Sequence, residues 1–151
     1  MKINKCRVCN ESICEFMTYG KMPIANGFLK NKIDNEYYFE MSPAFCSSCF
    51  SFQLVEQPDA EQMFHDEYAF FSRQSILMQI HFKEYADWVK KNYSQDDDFV
   101  VEIGSNDGIM LENFAKDNIK HLGIDPSANV VEVARSHGVE SQVSFFGYET
   151  S

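Results

Sequence analysis

The rhythm of apolar and polar positions changes twice along the 151-residue chain. Up to about residue 56 the apolar runs are short and broken by turn residues, with Tyr37-Tyr38-Phe39 the clearest strand. Elements this short are too small for an apolar core. Gln57-Pro58-Asp59-Ala60-Glu61 then places a proline and acids where a helix start favours them. A longer helix follows, with Ser72 as its N-cap, running to about Tyr93; Ile76, Leu77, Ile80, Trp88 and Val89 recur at spacings compatible with one buried face. Ser94-Gln95-Asp96-Asp97-Asp98 breaks that pattern with polar loop residues, and an α/β alternation begins. Strands are predicted at 99–103, 121–124 and 142–146, and helices at 110–116 and 128–137. The pattern therefore divides the chain into a small leading domain (1–56), a helical linker (57–97) and a partial α/β domain of three parallel strands with helices (98–151).

Composition narrows the classes this chain can belong to. With 44% hydrophobic and 15% aromatic residues it can build a core, and disorder is not the default. The net charge of -10 repels phosphate backbones over most of the surface, so nucleic acid is not an expected partner. The charge is uneven: of 13 basic and 23 acidic residues, 6 and 5 lie in residues 1–55, leaving 7 and 18 for the rest. No apolar h-region follows the N-terminal charges, and no run approaches the ~18 apolar residues of a membrane span. With an odd number of cysteines as well, a cytoplasmic, reducing location is expected rather than a secreted disulfide framework.

Four of the five cysteines form two C-x-x-C pairs, Cys6-Arg7-Val8-Cys9 and Cys46-Ser47-Ser48-Cys49. Two such turns supply four thiolates to one tetrahedral ion, each sulfur about 2.3 Å from the metal. The 36 residues between Cys9 and Cys46 exceed the usual zinc-ribbon interval, but loop-closure entropy grows slowly with length. A thioredoxin-like redox pair would need a βαβ setting, and neither motif has one. Zinc bound by Cys6, Cys9, Cys46 and Cys49, with no open coordination position, is expected to be structural and to supply folding energy. Cys14 is left over and reads as a small core residue.

The strand at 99–103 runs straight into Gly104-Ser105-Asn106-Asp107-Gly108 and a helix. Gly104 and Gly108 let backbone pass close under a ligand, and the helix start offers free N–H groups. Asn106 occupies the second glycine position of G-x-G-x-x-G, which disfavours a pyrophosphate-binding dinucleotide site. Asp125, 21 residues after Gly104 at the end of the second strand, suits paired hydrogen bonds to ribose hydroxyls. The plainer alternatives are a helix cap for Asp125 and a solvated strand-end acid for Glu102. The four histidines read as solvated or capping: His65 and His81 on helices, His121 at a strand start and His137 at a helix end. The Asp96-Asp97-Asp98 run reads as a solvated loop rather than a calcium site.

Six ordered motifs give the chain a resemblance along its whole length. They are Cys6-x-x-Cys9, the run 21–29 (Lys-Met-Pro-Ile-Ala-Asn-Gly-Phe-Leu), Cys46-x-x-Cys49, Tyr68-Ala69-Phe70-Phe71-Ser72, the run 100–108 (Val-Val-Glu-Ile-Gly-Ser-Asn-Asp-Gly) and the run 123–130 (Gly-Ile-Asp-Pro-Ser-Ala-Asn-Val). The chain resembles the N-terminal part of the nucleotide-sugar C-methyltransferases of deoxysugar biosynthesis, which carry a zinc-binding leader domain before a class I, Rossmann-like methyltransferase fold. The resemblance implies that Glu102, Gly104, Asn106, Asp107 and Asp125, with Gly108 in the same turn, form the S-adenosylmethionine site. It also implies that Tyr68 and Ser72 lie near a nucleotide-linked keto-deoxysugar substrate. Phe70 stands where the family would place a tyrosine. In that family a base removes the proton beside the keto group and the enolate takes the sulfonium methyl; the residues that do so lie beyond the third strand, so no catalytic residue is assigned here. The expected function is thus the N-terminal portion of such an enzyme, incomplete for catalysis. The alternatives are a non-catalytic zinc-containing binding module, or half of a split enzyme whose partner chain supplies the remainder.

Overall fold

The computed structural model describes residues 2–26, 28–93, 95 and 97–150. Gly27 of the 21–29 motif and Ser94 and Asp96 of the polar loop lie outside the described residues, so the solvated-loop reading of Asp96 goes with them. The chain forms two units, Met1–Met63 and Phe64–Ser151. Among the described residues no helix is long and apolar enough to cross a membrane.

Short strands dominate the first unit, as its broken apolar pattern requires. β1 (Cys14–Glu15), β4 (Pro43–Phe45) and β5 (Phe52–Leu54) make an antiparallel sheet in the order β1-β4-β5, while β2 (Lys21–Pro23) and β3 (Tyr38–Glu40) pair as a separate ribbon. A four-residue helix, α1 (Ala60–Met63), closes the unit after Pro58. Among its described residues the buried apolar ones are Cys6, Ile24, Pro43, Ala44, Cys46 and Val55. No aromatic ring is among them. Cys14 is exposed, against the expectation of a core position. It sits opposite Phe45 on a two-residue edge strand, and both face solvent.

The second unit is the expected α/β layer. β6 (Phe99–Ile103), β7 (Lys120–Asp125) and β8 (Ser141–Val143) lie parallel in the order β6-β7-β8, joined through α3 (Glu112–Ala115) and α4 (Ala128–Ser136). Leu111, Phe114, Ala134 and Val139 form the core together with Ala86 of α2 (Ile76–Tyr93). The opposite parity of β6 is uncovered: Phe99, Val101 and Ile103 are all exposed.

Two expectations about α2 are corrected. Its large apolar residues do not define its buried face: Ile76 and Leu77 are 73% and 77% exposed, and Ile80 and Trp88 are exposed too. Contact runs instead along Phe82, Ala86, Val89 and Lys90, a proper i, i+4, i+7, i+8 stripe in which fully buried Ala86 allows close approach. The Lys90 ammonium ends the stripe on the Asn113 carbonyl (3.2 Å) and the Asp117 carboxylate (2.7 Å). Ser72 is not the N-cap. Residues Ser72–Gln74 form a 3-10 turn, and it is Ser75 whose hydroxyl accepts the Met78 N–H (3.4 Å) at the start of α2.

The histidines also divide. His65 lies in a turn after α1, where Nδ1 accepts the Glu67 N–H (3.1 Å). His121 is buried on β7, neither solvated nor capping. Its Nδ1 donates to the Ile119 carbonyl (2.7 Å), which leaves Nε2 to accept the Glu140 N–H (3.1 Å). That neutral ring joins two strand ends and is fully used.

Candidate functional site

The two C-x-x-C turns share one local geometry. Cys6 N–H donates to the Glu11 carbonyl and Asn10 N–H to the Cys6 carbonyl (2.7 and 2.9 Å); Cys46 N–H donates to Ser51 and Phe50 N–H to Cys46 (3.0 and 2.8 Å). Each turn is closed by a left-handed residue just after its second cysteine, Asn10 at φ 61° and Phe50 at φ 60°. The carbonyl-to-amide closure turns both sulfurs of each pair to the same side. All four sulfurs lie within 4.8 Å of one another, with Cys6···Cys49 and Cys9···Cys46 both at 3.5 Å. A tetrahedral ion with Zn–S bonds of about 2.3 Å would set its sulfurs about 3.8 Å apart, so the cluster fits zinc.

Electrostatics in the cluster follow from the same turns. The Cys9 N–H, then that of Val8 and the Gln53 amide, hold the Cys6 thiol below its ordinary value. The Cys49 and Ser48 N–H groups do the same for Cys46. At Cys9 the Glu11 N–H pulls downward, but burial and the neighbouring sulfurs outweigh it and raise the thiol; Cys49, opposed by the Ser51 N–H, is raised likewise. Zinc binding to four thiolates must therefore release protons.

In the second unit, Gly104 (φ 74°) turns the chain at the end of β6, and its N–H and that of Ser105 both donate to the Ile124 carbonyl (2.8 and 3.3 Å). Asp125 closes the turn from β7: Oδ2 accepts the Asn106 N–H (3.0 Å) and Oδ1 the Ser127 N–H (2.9 Å). Each carboxylate oxygen keeps a second lone pair. A cavity of about 360 Å³ opens beside them, lined by Gly104, Asn106, Asp125 and Tyr68, with aromatic walls from Phe64 and Phe145. That is the size and mixed character of a small-molecule site.

The remaining candidate residues stand under or beside this turn rather than on the cavity wall. Gly108 (φ 71°) presses on α4, where an added Cβ would come within 2.9 Å of the Ala134 Cβ. Glu102 is pushed up to about 7, first by burial and then by the Asp107 and Asp125 carboxylates. Fully buried Asp107 accepts the Arg73 N–H (2.7 Å). Ser72 meets the turn through its backbone: its N–H donates to Asn106 Oδ1 (3.1 Å) while Asn106 Nδ2 donates to the Phe70 carbonyl (3.0 Å).

Comparison with known proteins bears on both sites. Residues 6–64, which span all four thiols, match the family model Methyltransf_13, described as "Putative zinc binding domain". The chain carries a methyltransferase-related zinc-binding domain. The chain is similar to the C-methyltransferase NovU of Streptomyces niveus, at 31% identity over 144 residues, 92% of this chain and 34% of NovU. It thus spans about a third of that relative's length, and the likeness is to its N-terminal portion.

Within the second unit, the residues that sequence reasoning missed are those tying distant segments together. Arg73 bridges the Glu112 carboxylate (2.7 Å) and the Asp107 carbonyl (3.2 Å). Asn129 donates to the Tyr68 carbonyl (2.7 Å) and holds the 68–73 segment at α4. Their only signals were position: Arg73 follows Ser72, and Asn129 lies in the 123–130 motif.

Proposed function

We propose that the chain is the zinc-bearing and S-adenosylmethionine-binding portion of a C-methyltransferase that acts on a nucleotide-linked keto-deoxysugar in the cytoplasm. The observation that carries the reading is the cavity at the ends of β6 and β7, where an open glycine turn, the Asn106 amide and the Asp125 carboxylate meet aromatic walls. Ribose hydroxyls would take the free lone pairs of Asp125, and Gly104, beside which an added Cβ meets nothing, leaves room for the chain of the cofactor. S-adenosylmethionine would supply the methyl group. Ser72 is held at this turn and Tyr68 at α4, each through its backbone, and both would border the sugar. Zinc is structural in this reading, with all four positions taken by cysteine.

Isothermal titration of the full chain with S-adenosylhomocysteine tests it. Saturable binding is expected, weakened about 10- to 100-fold in Asp125→Ala, the scale of hydrogen bonds to a charged group. A folded, zinc-loaded chain that binds no S-adenosylhomocysteine would sink the proposal.

A second reading, a non-catalytic module or half of a split enzyme, is favoured by the uncovered apolar parity of β6. Parallel sheets are ordinarily covered on both faces. Methyl transfer to a nucleotide-linked keto sugar by this chain alone would exclude it.

A further inference from the structure

The two metal-binding turns match in backbone but not in their side-chain surroundings. Each has a buried first cysteine, Cys6 or Cys46, and a left-handed closing residue. At Cys6 a side chain breaks this likeness. Gln53, on β5, donates from Nε2 to Cys6 Sγ at 3.1 Å, and its other Nε2 hydrogen goes to Ser51 Oγ at 3.1 Å. Its Oε1 accepts the Arg7 N–H at 3.1 Å. The Arg7 amide can only donate, so the oxygen must face it and the NH2 group must face the sulfur. The orientation of Gln53 is thereby settled by its partners. Each amide group has a use, and two of the three contacts reach the first turn from a strand 46 and 47 residues away.

We propose that Gln53 is a positioning residue of the zinc centre, which fixes Cys6 for coordination and stabilises its sulfur as a thiolate ligand through the N–H···S bond. A donor aimed at a ligand atom orients it and withdraws charge from the metal–sulfur bond. Loss of such outer contacts typically costs about 10- to 100-fold in metal affinity. Ser51 acts one step further out, holding the second Nε2 hydrogen and so the plane of the amide. The contact joins the first turn to the strand that follows the second, and it ties the two halves of the ligand set to each other.

Two variants of the full chain separate ligand positioning from simple anchoring of the turn. Gln53→Glu keeps an oxygen acceptor for the Arg7 N–H but has no donor for Cys6; Gln53→Leu removes both. Zinc affinity is read by competition with a chromophoric chelator, and the sulfur-to-metal charge-transfer band is read after loading with Co²⁺. Both variants should bind zinc about 10- to 100-fold more weakly. The Gln53→Glu band should also shift from wild type, because the donor to the thiolate is gone. If Gln53→Glu retains wild-type zinc affinity and the wild-type Co²⁺ spectrum, the glutamine only anchors the turn and the proposal is overturned. Should Gln53→Leu fail to fold, Gln53→Glu alone decides between these outcomes.

Discussion

The two units of this chain are stabilised in different ways. Among the described residues, Met1–Met63 buries few apolar side chains and no aromatic ring; its centre is the four-thiol cluster, with Ile24, Ala44 and Val55 as apolar companions. Phe64–Ser151 buries Leu111, Phe114, Val130 and Val131 and contains no cysteine. A ligand set can replace an apolar core where elements are too short to build one, because a metal supplies its energy at one point rather than over an area. The first unit should therefore respond to metal and be nearly indifferent to cavity-forming changes, and the second should do the reverse.

Removing the metal is the strongest way to break that contrast. Structural zinc contributes on the order of 10 kcal/mol, more than a domain of this size holds in reserve. Chelation, or Cys46→Ser, should unfold the first unit while β6 and β7 amides stay protected in hydrogen exchange. Protection retained in both units after chelation would remove the basis of the comparison.

Phe114→Ala is the opposite lesion. It deletes a ring that is 1% exposed, and such a cavity costs about 3–5 kcal/mol. The expected result is a lowered unfolding temperature for the second unit with zinc content unchanged by metal analysis; loss of zinc in this variant would show that the units are not independent.

The smallest effect sharpens the contrast through pH. Glu102 is raised from 4.5 to about 7, so the folded state holds its proton more tightly than the unfolded chain does. Its contribution is intact below about 4.5 and is lost as pH rises through 7. Glu102→Gln, always neutral, should leave stability unchanged near pH 4 and add about 3 kcal/mol to the second unit near pH 8, from 1.36 kcal/mol per pKa unit. Calorimetric scans at the two pH values measure the difference, and equal shifts at both would contradict the burial of this carboxylate.

Much of the architecture was legible before any coordinates. β6 and β7 follow from compact apolar runs whose neighbours are turn residues, and α4 from the α/β alternation of that pattern. The errors share a cause. Ile76, Leu77 and Trp88 suggested a buried face by size, yet small Ala86 sets the contact. Cys14 suggested a core position by residue type, yet it falls on an exposed edge strand. Ser72 suggested a cap by local pattern, yet its N–H is taken by Asn106, 34 residues away.

By itself the sequence determined the four-thiol cluster, because C-x-x-C is a complete local instruction: two sulfurs, one turn, one side. It also determined the glycine turn and the order of strands and helices around it. Only the tertiary structure decided which residues serve those features from a distance. Gln53 meets Cys6 across 47 positions and Asn129 meets Tyr68 across 61. Such pairs have no period or spacing to betray them; they exist because the folded backbone brings a donor within reach of a distant acceptor.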